Sequence, residues 1–265
     1  MNLVIDLANM VHRARSGFQR GENSISFMFS RMFRATVEKF NPDRIYVVLE
    51  GRPEERKAAF SEYKATRSSP GDDFWRQQAD ILGILQKLPV WIFRHPREEC
   101  DDVIGHIVTE VRKDEECIIV SSDSDFTQLL KTGDDRVRLW NPVKEIWVQP
   151  VPYDYVSWKS LTGDSTDGVP GFKGIGGKTA EKIVTTPGKL EEFLSDSNNR
   201  EIYNRNYGLI SFHKIYEGLE IRNPAFDAVA LQEDFERLGF KSILVEKSWK
   251  KYVDTFDKIW RNEWK

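Results

Sequence analysis

The sequence predicts an α/β fold on a mostly parallel central sheet, followed by a helical C-terminal region. Three observations carry that expectation. Leu3-Val4-Ile5, Arg44 to Leu49, Trp91-Ile92-Phe93 and Cys117 to Val120 are short apolar runs, as strands covered on both faces are. Stretches of helical periodicity separate them, so strand and helix alternate. From about Tyr153 the pattern turns mostly helical, so residues 1–152 are expected to form the α/β domain and 153–265 a helical one.

Taken in order, the first strand ends at Asp6, and Asn9 to Phe18 begins a helix carrying Arg13 and Arg15. A longer helix over Ile25 to Phe40 takes its apolar surface from Phe27, Phe29, Met32, Phe33, Val37 and Phe40. Asn41-Pro42-Asp43 turns the chain into the second strand, which ends at Glu50. Residues 51–70 form a polar, charged excursion of the kind that is often functional. Gly71 leads into a helix with apolar positions at Phe74, Ile81, Leu82, Ile84, Leu85 and Leu88. Past the third strand, Glu99-Cys100-Asp101-Asp102 opens a helix whose apolar positions include Val103, Ile107 and Val111. The fourth strand runs into Ser121-Ser122-Asp123-Ser124-Asp125 and a helix that continues through Leu130. Arg136 to Trp140 and Glu145 to Val148 read as a hairpin. Beyond it come a helix at about Tyr153 to Ser160, a polar loop at Ser195 to Arg200 and a break at Ile221-Arg222-Asn223-Pro224. A last helix, Leu244 to Trp264, uses Trp249, Tyr252, Phe256, Trp260 and Trp264 for packing.

Composition excludes several classes. With 31% charged and 40% apolar residues the chain is neither disordered nor membrane-embedded, and no apolar run approaches a membrane span. A strand at the very start predicts no signal peptide and a cytoplasmic protein. Cys100 and Cys117 suit a reducing interior and packing roles. His12, His95, His106 and His213 are scattered without zinc spacing.

Nine carboxylates fall at strand ends or helix starts: Asp6, Glu50, Glu99, Asp101, Asp102, Asp123, Asp125, Asp164 and Asp167. Ligands of open α/β sheets sit beyond the carboxyl ends of the strands. Acids gathered there repel one another unless cations neutralise them. One Asp-x-Asp can be a helix cap; four acidic clusters at successive element ends point to oxygen-liganded divalent ions. Setting the nine aside turns the formal net charge from −3 to +6, which suits a protein that grips phosphates beside an acidic pocket.

Two further stretches suit phosphate. Gly171 to Ile183 is glycine-rich and basic, and enters a helix where exposed N–H groups can meet a DNA backbone. The spacing before Gly177-Lys178-Thr179 is not that of a nucleotide P-loop, because Phe172 stands where the first Gly belongs. Two helices joined by a Gly-x-Gly hairpin fit this segment. Tyr63-Lys64-x-x-Arg67 could orient a scissile phosphate and offset developing charge.

In this order the stretches resemble the 5′ nuclease superfamily, which includes bacteriophage flap endonucleases, 5′-3′ exonucleases and the 5′ nuclease domains of bacterial DNA polymerases. The matching residues are Ile5-Asp6, Tyr63-Lys64-x-x-Arg67, Glu99-Cys100-Asp101-Asp102, Ser122-Asp123-Ser124-Asp125, Gly163-Asp164-x-x-Asp167, Pro170-Gly171, Gly174-Ile175-Gly176-x-Lys178 and Phe235-Glu236-Arg237-Leu238-x-Phe240. The resemblance implies a PIN-like α/β domain with a helical arch at about residues 52–90, then a helix-hairpin-helix (helix-three-turn-helix) module. It implies two ions, Mg²⁺ or Mn²⁺. Asp6, Glu99, Asp101 and Asp123 would surround the first, and Asp123, Asp125, Asp164 and Asp167 the second, with Asp102 in support. Lys64 and Arg67 would handle phosphate, and with Asp6, Asp101, Asp123 and Asp125 they form the expected catalytic set. Arg13, Lys173, Gly174, Gly176, Lys178 and Thr179 would contact DNA, with a K⁺ at the hairpin. The implied partners are DNA with 5′ flaps, nicks or free 5′ ends, RNA/DNA hybrids, and replication proteins such as a polymerase or single-strand binding protein. The implied state is a monomer in the cytoplasm, or the host cytoplasm for a phage protein. The chain departs from the family pattern in Glu50 for Asp, Cys100 for Ala and Gly168 for Asn. A non-catalytic DNA-junction binding protein and an Asp-dependent phosphatase or receiver-like protein are the rival readings.

Overall fold

Alternate side chains of the central strands feed two separate apolar layers. The computed structural model describes residues 1–17 and 21–263, the last by its backbone alone. In β1 (Asn2–Asp6), Leu3 and Ile5 face one layer and Val4 the other. In β2 (Arg44–Leu49), Ile45 and Val47 oppose Tyr46 and Val48. β3 (Trp91–Arg94) and β4 (Cys117–Val120) follow the same rule, Ile118 and Val120 facing away from Cys117 and Ile119. This two-sided burial is why the runs are apolar without alternation. Together with β5 (Val137–Asn141), these strands form a parallel array in the order β5-β4-β1-β2-β3. β6 (Ile146–Val148) pairs antiparallel with β5 at one edge, as the expected hairpin.

One face is covered by α1 (Leu7–Ser16) and α2 (Ser24–Phe40). Phe29, Phe33 and Val37 form the buried stripe of α2 at helical spacing. Phe18, expected in the first helix, lies outside the described residues, as does Trp264 of the last. The excursion after β2 carries α3 (Glu54–Ala59) and then α4 (Asp72–Leu85). Ile81, Ile84 and Leu85 of α4 are fully buried, and Gln77 accepts from the N–H groups of Ile25 and Ser26 at 2.8 and 3.2 Å. Those are donors that the first turn of α2 leaves unpaired. Of the expected arch at residues 52–90, α4 is thus a body helix, and residues 60–71 between the two helices are turns at 61–66 and irregular chain elsewhere.

The other face carries α5 (Cys100–His106), which passes into a π-helical turn, Ile107–Val111. The wider turn carries Val111 off the buried stripe; it is 40% exposed, contrary to expectation. The helix expected after Asp125 is a 3₁₀ turn, Asp125–Leu129, ending before Leu130.

Beyond the sheet stand α6 (Tyr155–Thr162), the two-residue strands β7 (Gly163–Asp164) and β8 (Val169–Pro170), α7 (Gly177–Thr185), α8 (Lys189–Phe193) and α9 (Ser197–Ile210). α6 and α7 pack on each other around Leu161, Ala180 and Tyr203, but the β7–β8 ribbon separates them, so the hairpin does not join helix directly to helix. Most of the polar stretch Ser195 to Arg200 is helix, not loop, because the Asp196 carboxylate caps the N–H groups of Asn198 and Asn199 at 2.9 and 3.0 Å. The expected break at Ile221 holds β9 (Glu220–Arg222), an antiparallel edge strand on β3. α10 (Ala228–Arg237), α11 (Lys241–Leu244) and α12 (Glu246–Glu263) then return to the sheet. Phe235, Tyr252 and Phe256 share a core with Phe33. The elements from β9 to α12 therefore pack against the α/β body, across the division expected at residue 152.

Candidate active site

Parallel pairing brings several acids to one end of the sheet. Asp6 stands in register with Val48 of β2, and Ile5 with Val120 of β4. Glu50 and Asp123 follow the ends of those strands by one and three residues. Strand order reverses between β1 and β4, the place where such sheets open a crevice. Asp6 caps α1 by accepting from the Asn9 N–H at 2.9 Å and also accepts from Ser121 Oγ at 2.9 Å. Asn9 in turn donates to Ser122 Oγ at 2.7 Å and accepts from the Ser122 N–H at 3.2 Å, which pins the loop carrying Asp123. Gly51 lets the Glu50 loop close on its neighbour: a Cβ there would lie 2.0 Å from the His95 carbonyl oxygen. Glu99 and Asp102 form a capping box at the start of α5 and present Asp101 from its first turn.

The ligand atoms of Asp6, Cys100 and Asp101 lie within 4.8 Å of one another. Among the described residues, none of the ion pairs reaches Asp6, Glu50, Asp101 or Asp123. Burial, then the charges of Asp123 and Asp6, hold the Asp101 carboxyl well above its ordinary range. Asp6 is raised, chiefly by burial. Glu50 is pushed up to about 7 by desolvation and by the charge of Glu99. The Cys100 thiol, 3.3 Å from Asp101 Oδ1 and 3.8 Å from Asp6 Oδ1, donates to these acids besides packing in the core.

The neighbouring acids are different. Asp123 Oδ1 accepts from the Asp125 N–H at 2.8 Å, while the Asp125 carboxylate meets the Lys159 ammonium and the Tyr155 hydroxyl, the latter at 3.2 Å. Lys159 also pairs with Asp164 at 2.6 Å. Asp164 Oδ1 accepts from the N–H groups of Thr166 and Asp167 at 2.8 and 3.3 Å, holding the turn that carries Asp167. Lys64 pairs with Glu99 and, at 3.5 Å, with Asp167; Arg67 reaches Asp167 at 2.5 Å. Burial raises Asp125 to about 6 against the pull of Lys159. For Asp164 burial is outweighed by Lys159 and the backbone donors, and its carboxyl is lowered. A cleft of about 400 Å³ opens here between Asp123, Asp164, Asp167, Arg67 and Trp158.

Lys64 adopts φ 54°, a left-handed conformation unfavourable for a side chain of its kind, with its N–H donating to the Asp167 carbonyl at 2.9 Å. Next to it, the Tyr63 hydroxyl donates to Glu99 at 2.7 Å. Asp102 is fully buried and committed to a cation. Its two oxygens take a bidentate pair from buried Arg56 at 2.6 and 2.7 Å. Arg56 also bonds Glu99 at 3.0 Å and the carbonyls of Leu209 and Ser211, tying α3 to α5 and to the end of α9. Shared partners and mutual charge thus link eight of the nine acids; Asp123, Asp164 and Asp167 line the cleft, and the ninth, Asp102, pairs with Arg56.

Lys173, Gly174 and Gly176 on the loop and Lys178 and Thr179 in the first turn of α7 are all exposed. Gly174 has φ 81° and Gly176 caps α7 without a side-chain acceptor, leaving first-turn N–H groups open to an anion. Arg13 is half-buried and donates to the Pro142 carbonyl at 3.2 Å, which ties it to the β5–β6 hairpin. No sequence pattern singles out Lys159 or Arg56 as part of the site. The available clue for Lys159 is a lysine between Val156 and Ser160, both on the buried side of α6.

The family model for the N-terminal, resolvase-like domain of 5′-3′ exonucleases matches residues 1–156. The thermostable DNA polymerase I of Thermus aquaticus is 33% identical over 168 residues, covering 60% of this chain; the chain spans about 20% of that relative's length. A 5′-3′ exonuclease of Aquifex aeolicus is 28% identical over 257 residues, 88% of this chain and 85% of the relative. The flap endonuclease of bacteriophage T5, solved as a pseudo-enzyme-product complex with DNA and metal ions, superposes with a TM-score of 0.63 at 16% identity, over 98% of this chain and 99% of the other.

Proposed function

Because the chain belongs to the 5′-3′ exonuclease family, within the 5′ nuclease superfamily, we propose that it is a divalent-metal-dependent 5′-3′ exonuclease and flap endonuclease that hydrolyses phosphodiesters near DNA 5′ ends. The observation that carries this reading is the gathering of eight carboxylates from strand ends, the start of α5 and the β7 turn, four of them without an ion-pair partner among the described residues and four held by lysine and arginine. An all-oxygen acidic set with raised carboxyl pKa values suits hard cations, Mg²⁺ or Mn²⁺. In this reading Asp6, Glu50, Glu99, Asp101 and Asp123 hold one ion, and Asp123, Asp125, Asp164 and Asp167 the second. Two such ions would supply an activated water and stabilise the attacking and leaving oxygens of an in-line displacement.

The chain's own groups do the rest. Lys64 and Arg67 leave their carboxylate partners to grip the phosphate to be cut, while Tyr63 keeps Glu99 oriented. The hairpin of Lys173, Gly174, Gly176, Lys178 and Thr179 holds the duplex backbone, with Arg13 as a further contact and a K⁺ on the hairpin carbonyls. Asp102 serves the site through Arg56 instead of as a ligand. Flaps, nicks and free 5′ ends of DNA are the substrates, RNA/DNA hybrids a further class, and replication and repair with a polymerase the setting. A monomer suffices.

The test is cleavage of a 5′-end-labelled flap, a nicked duplex and a single strand with Mg²⁺ and with EDTA. Mg²⁺-dependent release of short 5′ products, strongest on flap or nick, is the expected result. Tight binding with no cleavage in any metal would replace the nuclease reading with that of a junction-binding protein.

A further inference from the structure

A second convergence of metal-ligating groups stands outside the cleft. Glu55 in the first turn of α3, Glu98 just before α5 and His213 beyond α9 bring carboxylate oxygens and a ring nitrogen within 4.8 Å of one another. Both ring nitrogens face acceptors. Nε2 lies 3.2 Å from the Gly208 carbonyl oxygen, and Nδ1 lies 3.1 Å from Glu98 Oε2. The carbonyl requires an Nε2–H, the outer hydrogen bond that metal-bound histidines usually make. That leaves Nδ1 aimed at carboxylate, where only a proton or a metal cation satisfies both. Among the described residues, no Lys or Arg ion-pairs with Glu55 or Glu98, so two acids share a site whose only cationic candidate is the imidazole.

We propose that Glu55, Glu98 and His213 form a transition-metal site, suited to Zn²⁺ and similar imidazole-preferring ions and separate from the carboxylate cleft. One imidazole and two carboxylates favour such ions over Mg²⁺. The exposure of Glu55 leaves room for water as a further ligand. Each ligand adjoins the buried network beneath the cleft: Glu55 precedes Arg56, Glu98 precedes Glu99, and the His213 N–H donates to Asp102 at 2.7 Å. An ion here clamps the base of the 52–71 excursion to α5 and to the end of α9. Binding to the folded form alone stabilises it by mass action. The inference stands whatever reaction the cleft performs.

The full chain, kept in excess Mg²⁺ to occupy the carboxylates, is titrated with Zn²⁺ while the melting temperature is followed. One equivalent of Cu²⁺ is then read by electron paramagnetic resonance for nitrogen coupling, which the cleft, having no histidine, does not supply. The proposal expects a Zn²⁺-dependent rise in Tm above Mg²⁺ alone. It also expects Glu55→Gln, an exposed change that leaves the fold intact, to weaken Zn²⁺ by ~10-fold or more. Nitrogen coupling should disappear in His213→Gln. An unchanged Zn²⁺ affinity in Glu55→Gln, coupling that persists in His213→Gln, or no Zn²⁺ effect beyond Mg²⁺ overturns the site and leaves an ordinary His–Glu ion pair.

Discussion

In one half of the site Asp6, Glu50 and Asp101 crowd together with no ion-pair partner among the described residues; in the other, Asp125 and Asp164 share Lys159, and Asp167 meets both Lys64 and Arg67. In the first group burial and mutual repulsion penalise the charged form, visible in raised carboxyl pKa values. The second is already neutralised, with the Lys159 ammonium between Asp125 and Asp164, where a cation is wanted. A divalent ion arriving at the first group relieves repulsion, whereas one arriving at the second must displace an amine. The first group should therefore fill first.

The comparison breaks most sharply at single carboxylates. Asp101→Asn and Asp125→Asn are each expected to reduce flap cleavage by about 10³-fold, roughly 4 kcal/mol of barrier, with DNA binding largely retained. Their metal-free stabilities should move in opposite directions. Asp101→Asn removes one of several repelling charges and raises Tm in EDTA; Asp125→Asn takes a partner from buried Lys159 and lowers it. Melts in which both variants move the same way would show that the two halves do not differ as described.

Lys159→Met tests the second half from the cation side. Losing one member of a buried pair costs about 3 kcal/mol or more because the partners are left uncompensated. The side chain is 9% exposed, so solvent offsets little of that loss. Mg²⁺ should restore most of it by standing where the ammonium stood. A destabilisation that Mg²⁺ leaves untouched would mean Lys159 is a structural tie unconnected with metal.

How far the site was legible in sequence follows from the same contrast. Asp6, Asp101 and Asp123 could be read because strand ends and helix starts are local patterns, and parallel pairing carries them to one edge. Lys159 could not, because its meaning depends on how α6 packs against the loop of Asp125, a contact across 34 positions. Arg56 stood within a run of charges that looks like solvated surface, yet it is 3% exposed and binds Asp102, 46 positions away. The same gap separates fold from boundary. Apolar runs announced the parallel strands, but β9 is a three-residue exposed edge strand with no apolar pattern to find, and the return of α12 to Phe33 depends on tertiary packing alone.

The smallest expected effect concerns protons. An unfolded carboxyl titrates near 4. With Asp125 at about 6, Glu50 at about 7, and Asp6 and Asp101 raised by burial and mutual charge, the folded state binds more protons than the unfolded one between those limits. Metal-free stability is therefore greatest near the lower limit and falls as pH rises through 6 and 7. Mg²⁺ competes with those protons, so its stabilising effect should grow over the same interval and level off above about pH 8. His12 and His106, both lowered chiefly by burial, tilt stability the other way, but equally with and without metal. The difference in Tm between Mg²⁺ and EDTA removes them. It should widen by about 2–4 °C from pH 5 to 8 and flatten in Asp101→Asn. A difference independent of pH would mean that Mg²⁺ does not bind where these carboxylates hold their protons, and the uncompensated half would lose its claim to be the first metal position.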